Sequence, residues 1–390
     1  MPCKETDTRK SDGCPTKVMI VAGEASGDLH GSLLVREMLG INPGLEFHGI
    51  GGTKMRQAGV QLLADAKDIG VVGVTEALAK LRIFIKIISG IKKSMDLLKP
   101  ALVILIDFPD FNLNIVAPAA KKRGIPVFYY ISPQVWAWRK GRVKQIKKLI
   151  DSMAVILPFE VDFYASYGYT VQYVGHPLAD QVKSSFSPQA ARGEFGLAEA
   201  APTIGLLPGS RSAEVSRLLP EMIKAARIIS VRMPEAQYII PLADTLRQES
   251  VRGLIAGAGI DVKIVSGRIY DVLAACDLAI VTSGTATLEA GLIGVPMVIV
   301  YKMSVLSALI GKLIINPEFI GLVNIIAGKS VAPELIQLNA TGRRIASEAL
   351  GILLDSDRKL KMIHELKNIR EKLGEPGAAR KAAQIACNMI

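Results

Sequence analysis

The sequence predicts an α/β protein made of two doubly wound parallel sheets that face each other across a cleft. Short apolar runs alternate with helix-length segments from residue 18 to about residue 300, which is typical of parallel strands covered by helices on both faces. The alternation is interrupted once, by a polar segment at 179–201, and then restarts. A chain of 390 residues, half of them apolar, is long enough for two domains with separate cores.

The first series of strands follows a polar segment at 1–16, which we expect to be a disordered tail because it lacks the apolar stretch of a secretory signal. A helix is predicted at about 29–39. The predicted strands lie at 18–22, 46–50, 101–106, 126–131 and 153–157. They define an N-terminal domain at 17–178.

The second series follows the segment at 179–201, which we interpret as a linker. Its predicted strands lie at 203–207, 237–241, 262–265, 278–281 and 296–301. They define a C-terminal domain at 179–354. The rest of the chain is helical and charged, and the helices at about 355–390 are candidates to pack back on the N-terminal domain.

The charge balance indicates an anionic partner. The net charge is +11 and the isoelectric point is about 9.4. Aromatic residues make up only 5% of the chain and no nucleic-acid-binding motif accompanies the charge, so we expect no nucleic acid partner. A mean hydropathy of +0.32 together with excess Lys and Arg favours a protein that rests on an anionic membrane. Lys or Arg interrupts every apolar stretch before it reaches spanning length.

Two loops of the second domain have the composition of anion sites at helix N-termini. They read LLPGSRSAE at 206–214 and SGTATLE at 283–289, and each lies between a predicted strand and a predicted helix. The guanidinium of Arg211 suits phosphate, and Glu289 is placed to accept hydrogen bonds from ribose hydroxyls. The candidate donor-site residues are Gly209, Ser210, Arg211, Ser283, Gly284, Thr285 and Glu289. The alternative is an ordinary pair of turns with Ser210 or Ser283 as a helix cap.

The motif IDFPDFN at 106–112 supplies the candidate catalytic base. Pro109 favours an extended Phe108, so that Asp107 ends a strand and Asp110 caps the next helix. Asp107 is then free to act as a general base. The alternative for Asp107 is a carboxylate that binds the backbone amides of a neighbouring loop.

A second polar cluster lies in the motif GEASGD at 23–28. Glu24 and Ser26 are candidate sugar contacts, and we expect Gly27 and Gly31 to let a substrate or the facing domain approach the backbone. The alternative is a helix cap formed by Ser26 or Asp28.

The sequence predicts metal-independent chemistry. His30 has no companion His, Cys or carboxylate at ligand spacing. The four cysteines show no paired spacing, which indicates a reducing compartment and no zinc site. They are Cys3, Cys14, Cys276 and Cys387.

The segment SPQVWAWRKGRV at 132–143 places both tryptophans of the chain beside three cations. We interpret it as a surface that holds a phosphorylated sugar, with Gln134 and Arg139 as contacts, or that lies at the lipid headgroup layer. The alternative is that Trp136 and Trp138 pack against the edge of the sheet.

The segment at 71–98 mixes many aliphatic side chains with Lys and Arg. It is too charged to span a bilayer, and we interpret it as an in-plane membrane contact or a groove for acyl chains, with 304–315 as a second candidate. A buried core helix with snorkelling lysines is the alternative.

These segments together resemble lipid-A-disaccharide synthase, a bacterial glycosyltransferase family with the GT-B architecture of two Rossmann-like domains. The resemblance extends from about residue 18 to residue 336. The motifs that carry it, in chain order, are VAGEASGD at 21–28, IDFPDFN at 106–112, SPQVWAWR at 132–139, LPFE at 157–160, GHPLAD at 175–180, LLPGSRSAEV at 206–215, SGTATLE at 283–289 and VNIIAG at 323–328.

The resemblance implies an inverting transfer between UDP-2,3-diacylglucosamine and 2,3-diacylglucosamine 1-phosphate in lipopolysaccharide synthesis by a Gram-negative bacterium. Asp107 would deprotonate the acceptor 6-hydroxyl, and Arg211 would stabilise the departing diphosphate. Glu289 would hold the ribose, Asn324 would help line the nucleotide pocket, and Glu24 and Ser26 would orient a sugar. No cofactor is implied.

The resemblance also implies a cytoplasmic protein attached peripherally to the inner membrane, and it is compatible with an oligomer. Three other interpretations of the sequence stay open. They are a transferase that moves N-acetylglucosamine from UDP to a lipid-linked acceptor, a UDP-sugar epimerase, and a UDP-sugar or phospholipid-binding protein without catalytic activity.

Overall fold

The computed structural model describes residues 15–66, 77–138, 140–303 and 318–390, and the side chains of 77–83 are outside that description. The chain divides into two compact units. The first comprises Met1–Pro177 and Gly377–Ile390, and the second comprises Leu178–Pro376. The chain therefore leaves the first unit next to the predicted boundary at 178 and returns to it for its last helix.

In the described part of the first unit, seven parallel strands form one sheet in the order β3-β2-β1-β4-β5-β6-β7. The strands are β1 (Thr16–Ala22), β2 (Leu45–Gly51), β3 (Gln61–Asp65), β4 (Leu102–Ile106), β5 (Val127–Tyr130), β6 (Ser152–Val155) and β7 (Gln172–Tyr173). The edge strand β3 was not predicted. It has five residues, with Gln and Asp at its ends and without the long apolar run of a strand buried on both faces.

The described helices of the first part of this unit lie between these strands. They are α1 (Ala25–Ile41), α2 (Thr53–Gln57), α3 (Ala77–Leu98), α4 (Pro109–Phe111), α5 (Ala117–Lys121), α6 (Val135–Trp138), α7 (Val143–Leu149) and α8 (Phe159–Ala165). A π-helical turn at Asn112–Val116 joins α4 to α5, and a 3-10 turn at Lys140–Arg142 precedes α7.

The central strands of this sheet are buried on both faces. Met19 and Val21 of β1 lie in one core, whereas Val18, Ile20 and Ala22 lie in the other. Successive side chains of a strand point to opposite faces, so a continuous apolar run fills both cores. The helix that follows β1 covers one face, and the helical segment that follows β4 covers the other.

The second unit contains a six-stranded parallel sheet within its described residues, in the order β10-β9-β8-β11-β12-β13. Its strands are β8 (Thr203–Leu207), β9 (Gln237–Leu242), β10 (Val262–Ser266), β11 (Leu278–Thr282), β12 (Met297–Tyr301) and β13 (Glu334–Ile336). The three-residue strand β13 was not predicted.

The described helices from the unit boundary onward are α9 (Pro177–Gln181), α10 (Pro188–Glu194), α11 (Ser212–Arg232), α12 (Gln248–Ile255), α13 (Ile269–Ala275), α14 (Thr285–Ile293), α15 (Leu322–Ala327), α16 (Gly342–Leu353), α17 (Ser356–Lys372) and α18 (Ala378–Cys387). A 3-10 turn at Gln337–Asn339 follows β13. Of the C-terminal helices, α17 packs on α14 in the second unit, and α18 packs on α1 in the first.

The segment at 179–201 is fastened to the second unit, which corrects its interpretation as a linker. Ser184 Oγ and the Ser185 backbone N–H donate to Asp271 at 3.0 and 2.8 Å. Arg192 donates to the Asp277 carboxylate at 2.7 Å. Polar composition suggested a linker because these partners lie more than eighty residues away in sequence.

Both sheets reverse their strand order at one point. In the first sheet the reversal lies between β1 and β4, and in the second it lies between β8 and β11. Connections that leave such a pair in opposite directions keep the space beyond its carboxyl ends open, and ligands of doubly wound folds bind there. The candidate residues Glu24 and Asp107 follow one pair, and the two glycine-containing loops follow the other.

The apolar segment at 71–98 forms α3 from Ala77 onward. Among the described side chains of α3, those on one face pack into the core, as the core-helix alternative predicts. The side chains that pack into the core are Phe84, Ile87, Ile88, Ile91 and Met95. Ile85 and the lysines at 86, 92 and 93 are exposed. Membrane contact stays a prediction, and 304–315 lies outside the described residues.

No helix in the described ranges combines the length and apolar character needed to cross a bilayer.

Asp28 closes the N-terminus of α2 rather than that of its own helix. Its carboxylate accepts from the backbone N–H groups of Gly52, Lys54 and Met55 at 2.7, 3.0 and 2.9 Å. The alternative of a cap on α1 supplied by Ser26 or Asp28 is therefore wrong, because α1 has no side-chain cap and the partners of Asp28 lie beyond the next strand.

We expect Asp28→Ala to lower the free energy of unfolding by about 2 kcal/mol, because it leaves buried N–H groups without an acceptor. Urea denaturation measures this. The control Asp261→Ala removes an exposed carboxylate and should change stability by less than about 0.5 kcal/mol. Equal effects of the two substitutions would contradict the capping role.

Candidate active site

The predicted donor-site residues of the two loops line one cavity in the second unit. The cavity has a volume of about 480 Å³ and lies beyond the carboxyl ends of β8, β9 and β11. The predicted residues in its lining are Gly209, Ser210, Arg211, Ser283, Gly284, Thr285 and Glu289. Ala243 and Asp244, which follow β9, also line it and were not predicted.

The helices that begin at this cavity have no side-chain cap. The N-cap residue is Arg211 for α11 and Gly284 for α14, and neither residue has a side-chain acceptor for the first N–H groups of its helix. Gly209 and Gly284 have φ angles of +110° and +147°, which favour glycine. The cap alternative for Ser210 and Ser283 is therefore wrong. First-turn N–H groups at such ends are donors for an anion.

Arg211 is held loosely. Its side chain is 79% exposed and donates to Glu214 Oε1 at 3.0 Å. An exposed ion pair one helical turn apart contributes little to stability. The guanidinium can therefore exchange Glu214 for a phosphate group, to which it binds with two parallel hydrogen bonds.

Glu289 is oriented inside the same cavity. Tyr270 Oη donates to Glu289 Oε1 at 3.1 Å. Burial raises the pKa of Glu289, and this hydrogen bond opposes the rise. The second carboxylate oxygen is an acceptor of the kind that binds paired ribose hydroxyls.

Asn324 does not line this cavity. It is fully buried, and its amide nitrogen donates to the Ala332 carbonyl and to Glu334, both at 2.8 Å. Its amide oxygen accepts from the backbone N–H groups of Val331 and Ala332 at 2.8 and 2.9 Å. The side chain connects α15 to the segment before β13, so the structure gives no direct support to its predicted place in a nucleotide pocket.

Asp107 and Phe108 in the first unit both have left-handed backbone conformations, with φ angles of +43° and +50°. The expectation of an extended Phe108 is wrong. Two groups hold the Asp107 carbonyl oxygen in place, the Tyr129 hydroxyl at 2.6 Å and Asn112 Nδ2 at 2.7 Å. These tertiary hydrogen bonds override the local preference imposed by Pro109. Strained backbone of this kind occurs at functional sites.

Glu24 and burial act together on Asp107. Burial raises the pKa of the Asp107 carboxyl to about 6, the charge of Glu24 adds to the rise, and a hydrogen bond from the Phe108 N–H opposes it. Gly23 allows the approach of the two loops, because a Cβ there would lie 2.2 Å from the Phe108 ring. A carboxylate with a pKa near neutrality can accept a proton and then release it.

Asp110 has a different role from the predicted one. The N-cap position of α4 belongs to Phe108, with no side-chain cap. Asp110 forms an ion pair with Arg142, one of the three cations counted beside the tryptophans. Asp110 follows Asp107 closely in sequence. Arg142 therefore pairs with Asp110 and not with the Asp107 carboxylate.

The remaining residues of the GEASGD motif divide into two groups. Glu24 and Ser26 are exposed at the start of α1, and Glu24 is its N-cap residue without a side-chain hydrogen bond. Gly27 faces its own sheet, because a Cβ there would lie 3.2 Å from Ala22 Cβ. Gly31 likewise faces Met55 at 2.7 Å. The observed reason for these glycines is close packing of α1 on the sheet, which corrects the expectation of substrate approach.

The segment after β5 is anchored by buried polar groups. Ser132 Oγ and Tyr164 Oη are 2.7 Å apart, and Glu160 accepts from the Leu157 N–H at 3.0 Å. Burial raises the pKa of Glu160 to about 7, and hydrogen bonds oppose the rise. Gln134 is exposed on this anchored segment.

The structure describes the side chain of only one of the two tryptophans in this segment. Trp136 packs edge-to-face on Phe159 of α8, with ring centroids 5.0 Å apart. This is a packing contact with a helix, whereas the packing alternative named the edge of the sheet. The side chain of Trp138 and all of Arg139 lie outside the described residues.

His30 has no metal-binding environment. Burial lowers the pKa of His30 to about 4, and the charge of Lys54 contributes. Burial also lowers the pKa of His176 to about 3, with His30 as a lesser cause. Both imidazoles are therefore neutral near pH 7. No group of three or more potential ligands for a metal ion occurs among the residues that the structure covers. Independence from metals stays a prediction.

Comparison with known proteins identifies the family. A family model described as lipid-A-disaccharide synthetase matches residues 18–389. The lipid-A-disaccharide synthase of Syntrophus aciditrophicus (strain SB) is 54% identical over 96% of this chain and 97% of its own length. The chain belongs to the lipid-A-disaccharide synthase family. The synthase of Geobacter metallireducens is 47% identical, again over 96% of this chain and 97% of its own. Members of this family are glycosyltransferases that form the lipid A disaccharide in lipopolysaccharide synthesis.

Solved structures identify the fold of this synthase-family chain. An S. aureus MnaA–UDP co-structure superposes with a TM-score of 0.62 over 96% of this chain and 98% of its own. The sequences are 13% identical, so the likeness shows the fold alone. The predicted architecture of two Rossmann-like domains, the GT-B fold, is confirmed.

Sequence reasoning on this family member missed the residues that support the candidate site. Tyr129 and Asn112 fix the Asp107 carbonyl, and Tyr270 orients Glu289. Asn112 lies inside a recognised motif and could have been considered. The sequence pattern does not distinguish the two tyrosines from ordinary strand and helix residues, because the partners of their hydroxyl groups are distant in sequence.

We expect Asp107→Asn to be more stable than the wild type at about pH 8, by up to about 3 kcal/mol, since the pKa of Asp107 rises from 3.8 to about 6 on folding. The penalty of ionising the buried carboxyl is absent at low pH and grows as the pH rises through about 6. The difference should therefore shrink toward about pH 4. Asn tolerates the left-handed backbone as Asp does.

Urea denaturation at both pH values provides the measurement. A constant difference across this range would show that the Asp107 carboxylate is not desolvated in the folded protein.

Proposed function

We propose that this chain transfers the diacylglucosamine unit of UDP-2,3-diacylglucosamine to the 6-hydroxyl of 2,3-diacylglucosamine 1-phosphate. The products are a β-1,6-linked tetraacyl disaccharide 1-phosphate and UDP. Membership of the synthase family supports the reaction class. The single observation that carries the mechanism is Asp107, a partly buried carboxyl with a pKa raised to about 6 on a strained turn.

The second unit would hold the donor. Backbone N–H groups at the starts of α11 and α14 would bind the diphosphate, with Arg211 as a mobile cation beside them. Glu289 would accept hydrogen bonds from the ribose. The backbone N–H groups are fixed before the reaction, so they would stabilise the charge that grows on the departing UDP.

The first unit would supply the base. Asp107 would remove the proton of the acceptor 6-hydroxyl as that oxygen attacks the anomeric carbon. The bond from that carbon to the diphosphate oxygen breaks on the opposite face, which inverts the configuration. UDP takes the electron pair, and the transition state has oxocarbenium character. Asp107 keeps the proton until solvent removes it.

Glu24 would have two roles in this step. Its charge contributes to the raised pKa of Asp107, which makes the carboxylate a stronger base. Its exposed carboxylate, with Ser26 beside it in sequence, would also orient sugar hydroxyls. Gln134 lies on the anchored segment after β5 as a further candidate contact for the acceptor.

We further propose that the enzyme is a cytoplasmic protein that rests on the inner membrane, where its acylated substrates reside. The exposed face of α3 supports this, because Ile85 is 57% exposed beside Lys86, Lys92 and Lys93. A basic face with an exposed aliphatic side chain suits an anionic lipid surface.

We expect Asp107→Asn to lower kcat at least about a hundredfold while leaving UDP affinity within about threefold. Mass spectrometry of the product from both acylated monosaccharides gives the rate, and calorimetry gives the affinity. In the wild type, kcat/KM should fall about tenfold for each pH unit below about 6, because protonated Asp107 cannot act as a base. This acidic limb should disappear from the residual activity of the variant.

Asp110→Asn is the matched control, since it changes a carboxylate of the same motif that pairs with Arg142. Its turnover should stay within about threefold of the wild type. Retained turnover in Asp107→Asn would remove the general-base assignment. An isomerised sugar formed without the acceptor would instead favour an epimerase.

We expect the triple variant Lys86→Glu, Lys92→Glu and Lys93→Glu to bind vesicles containing phosphatidylglycerol at least about tenfold more weakly than the wild type. Vesicle sedimentation measures this, with pure phosphatidylcholine as the neutral reference. The control variant reverses the same number of exposed lysines on α7, at positions 144, 147 and 148. Equal losses in the two variants would indicate a net-charge effect and contradict attachment through α3.

A further inference from the structure

A short segment before α15 is tied to the second cavity loop. Ser283 Oγ donates to the Ile320 carbonyl at 2.8 Å. The Leu322 N–H donates to Thr287 Oγ1 at 3.1 Å, and that hydroxyl donates to the Gly284 carbonyl at 2.8 Å. The turn that starts α14 therefore has two side-chain connections to residues 320–322.

Glu334 holds this segment from the other side. The Ile320 N–H donates to Glu334 Oε2, and the Gly321 N–H donates to Glu334 Oε1, both at 2.9 Å. Asn324 Nδ2 also donates to Oε1, at 2.8 Å. A Cβ at Gly321 would lie 2.4 Å from Ile299 Cδ1, so the segment is packed tightly against β12 as well.

We propose that Glu334 is a positioning residue for the nucleotide diphosphate. It fixes Ile320 and Gly321, and the Ile320 carbonyl in turn fixes the hydroxyl of Ser283 at the start of the phosphate-binding turn. Asn324 acts in the same network, through Glu334, without touching the ligand. This inference rests on the proposed donor site.

The two acceptor oxygens of Glu334 explain why this position requires a carboxylate. Both oxygens of Glu334 accept backbone N–H groups, and a carboxylate is the only side chain of this length with two acceptor oxygens. An amide at this position would present an NH₂ group to one of those N–H donors. One donor would lose its acceptor, and the Ile320 carbonyl would move with its peptide.

The test is Glu334→Gln, which keeps size and shape. We expect its UDP affinity, measured by calorimetry, to fall about tenfold, or about 1.4 kcal/mol. Glu375→Gln is the control, an exposed position of the same unit, and it should leave UDP affinity unchanged. A Glu334→Gln protein that melts earlier but binds UDP as the control does would overturn the inference, because support of the fold alone predicts that result.

A double-mutant cycle tests the route through Ser283. Ser283→Ala should also weaken UDP binding, and the pair Ser283→Ala with Glu334→Gln should lose no more than the larger single loss. Additive losses would show that the two residues act independently. If Glu334→Gln does not fold, Ser283→Ala and Thr287→Val carry the test. Each should then weaken UDP binding severalfold, and unchanged affinity in both would overturn the inference.

Two further measurements separate this inference from the proposed function. If the wild type does not bind UDP, the proposed function itself is wrong. If the wild type binds UDP and Arg211→Ala weakens the binding, while Glu334→Gln behaves as Glu375→Gln does, only the positioning role of Glu334 fails.

Discussion

The reversal of strand order in each parallel sheet is the constraint on which the candidate site depends. At β1 and β4 the following helical segments cover opposite faces, so neither fills the space beyond the strand ends. The same order recurs at β8 and β11. Chemistry-bearing residues lie at these two positions because there a loop can be polar without exposing the core.

Two features of the Asp107 environment raise the free energy of the folded protein. Two successive left-handed residues are strained, and a buried carboxylate beside Glu24 is poorly solvated. Tyr129 and Asn112 offset these costs by binding the carbonyl oxygen of the same residue. The backbone is therefore anchored while the carboxylate is left reactive. In the second unit the division is similar, since hydrogen bonds hold the turn at Ser283 while the Arg211 side chain is exposed and makes one surface ion pair.

Local patterns in the sequence predict the strands well because a strand buried on both faces needs an uninterrupted apolar run. Thus β8 begins and ends where the pattern places it, at Thr203 and Leu207. The cavity loops were also predictable, because glycine and a helix start are both local signals. What could not be predicted depends on distant partners. The conformation of Phe108 follows from Tyr129, the cap of Asp28 from Gly52, and the role of Asn324 from Glu334.

The return of the chain to its first unit has a consequence for synthesis on the ribosome. The core that contains β1 also contains Ala382, Ala383 and Ala386 of α18, which are fully buried against it. This surface of the first unit is therefore covered only after the whole second unit, Leu178–Pro376, has been synthesised. Until then the apolar side chains of α1 lack their partner helix, and exposed apolar surface of this kind makes a partly folded chain prone to aggregate.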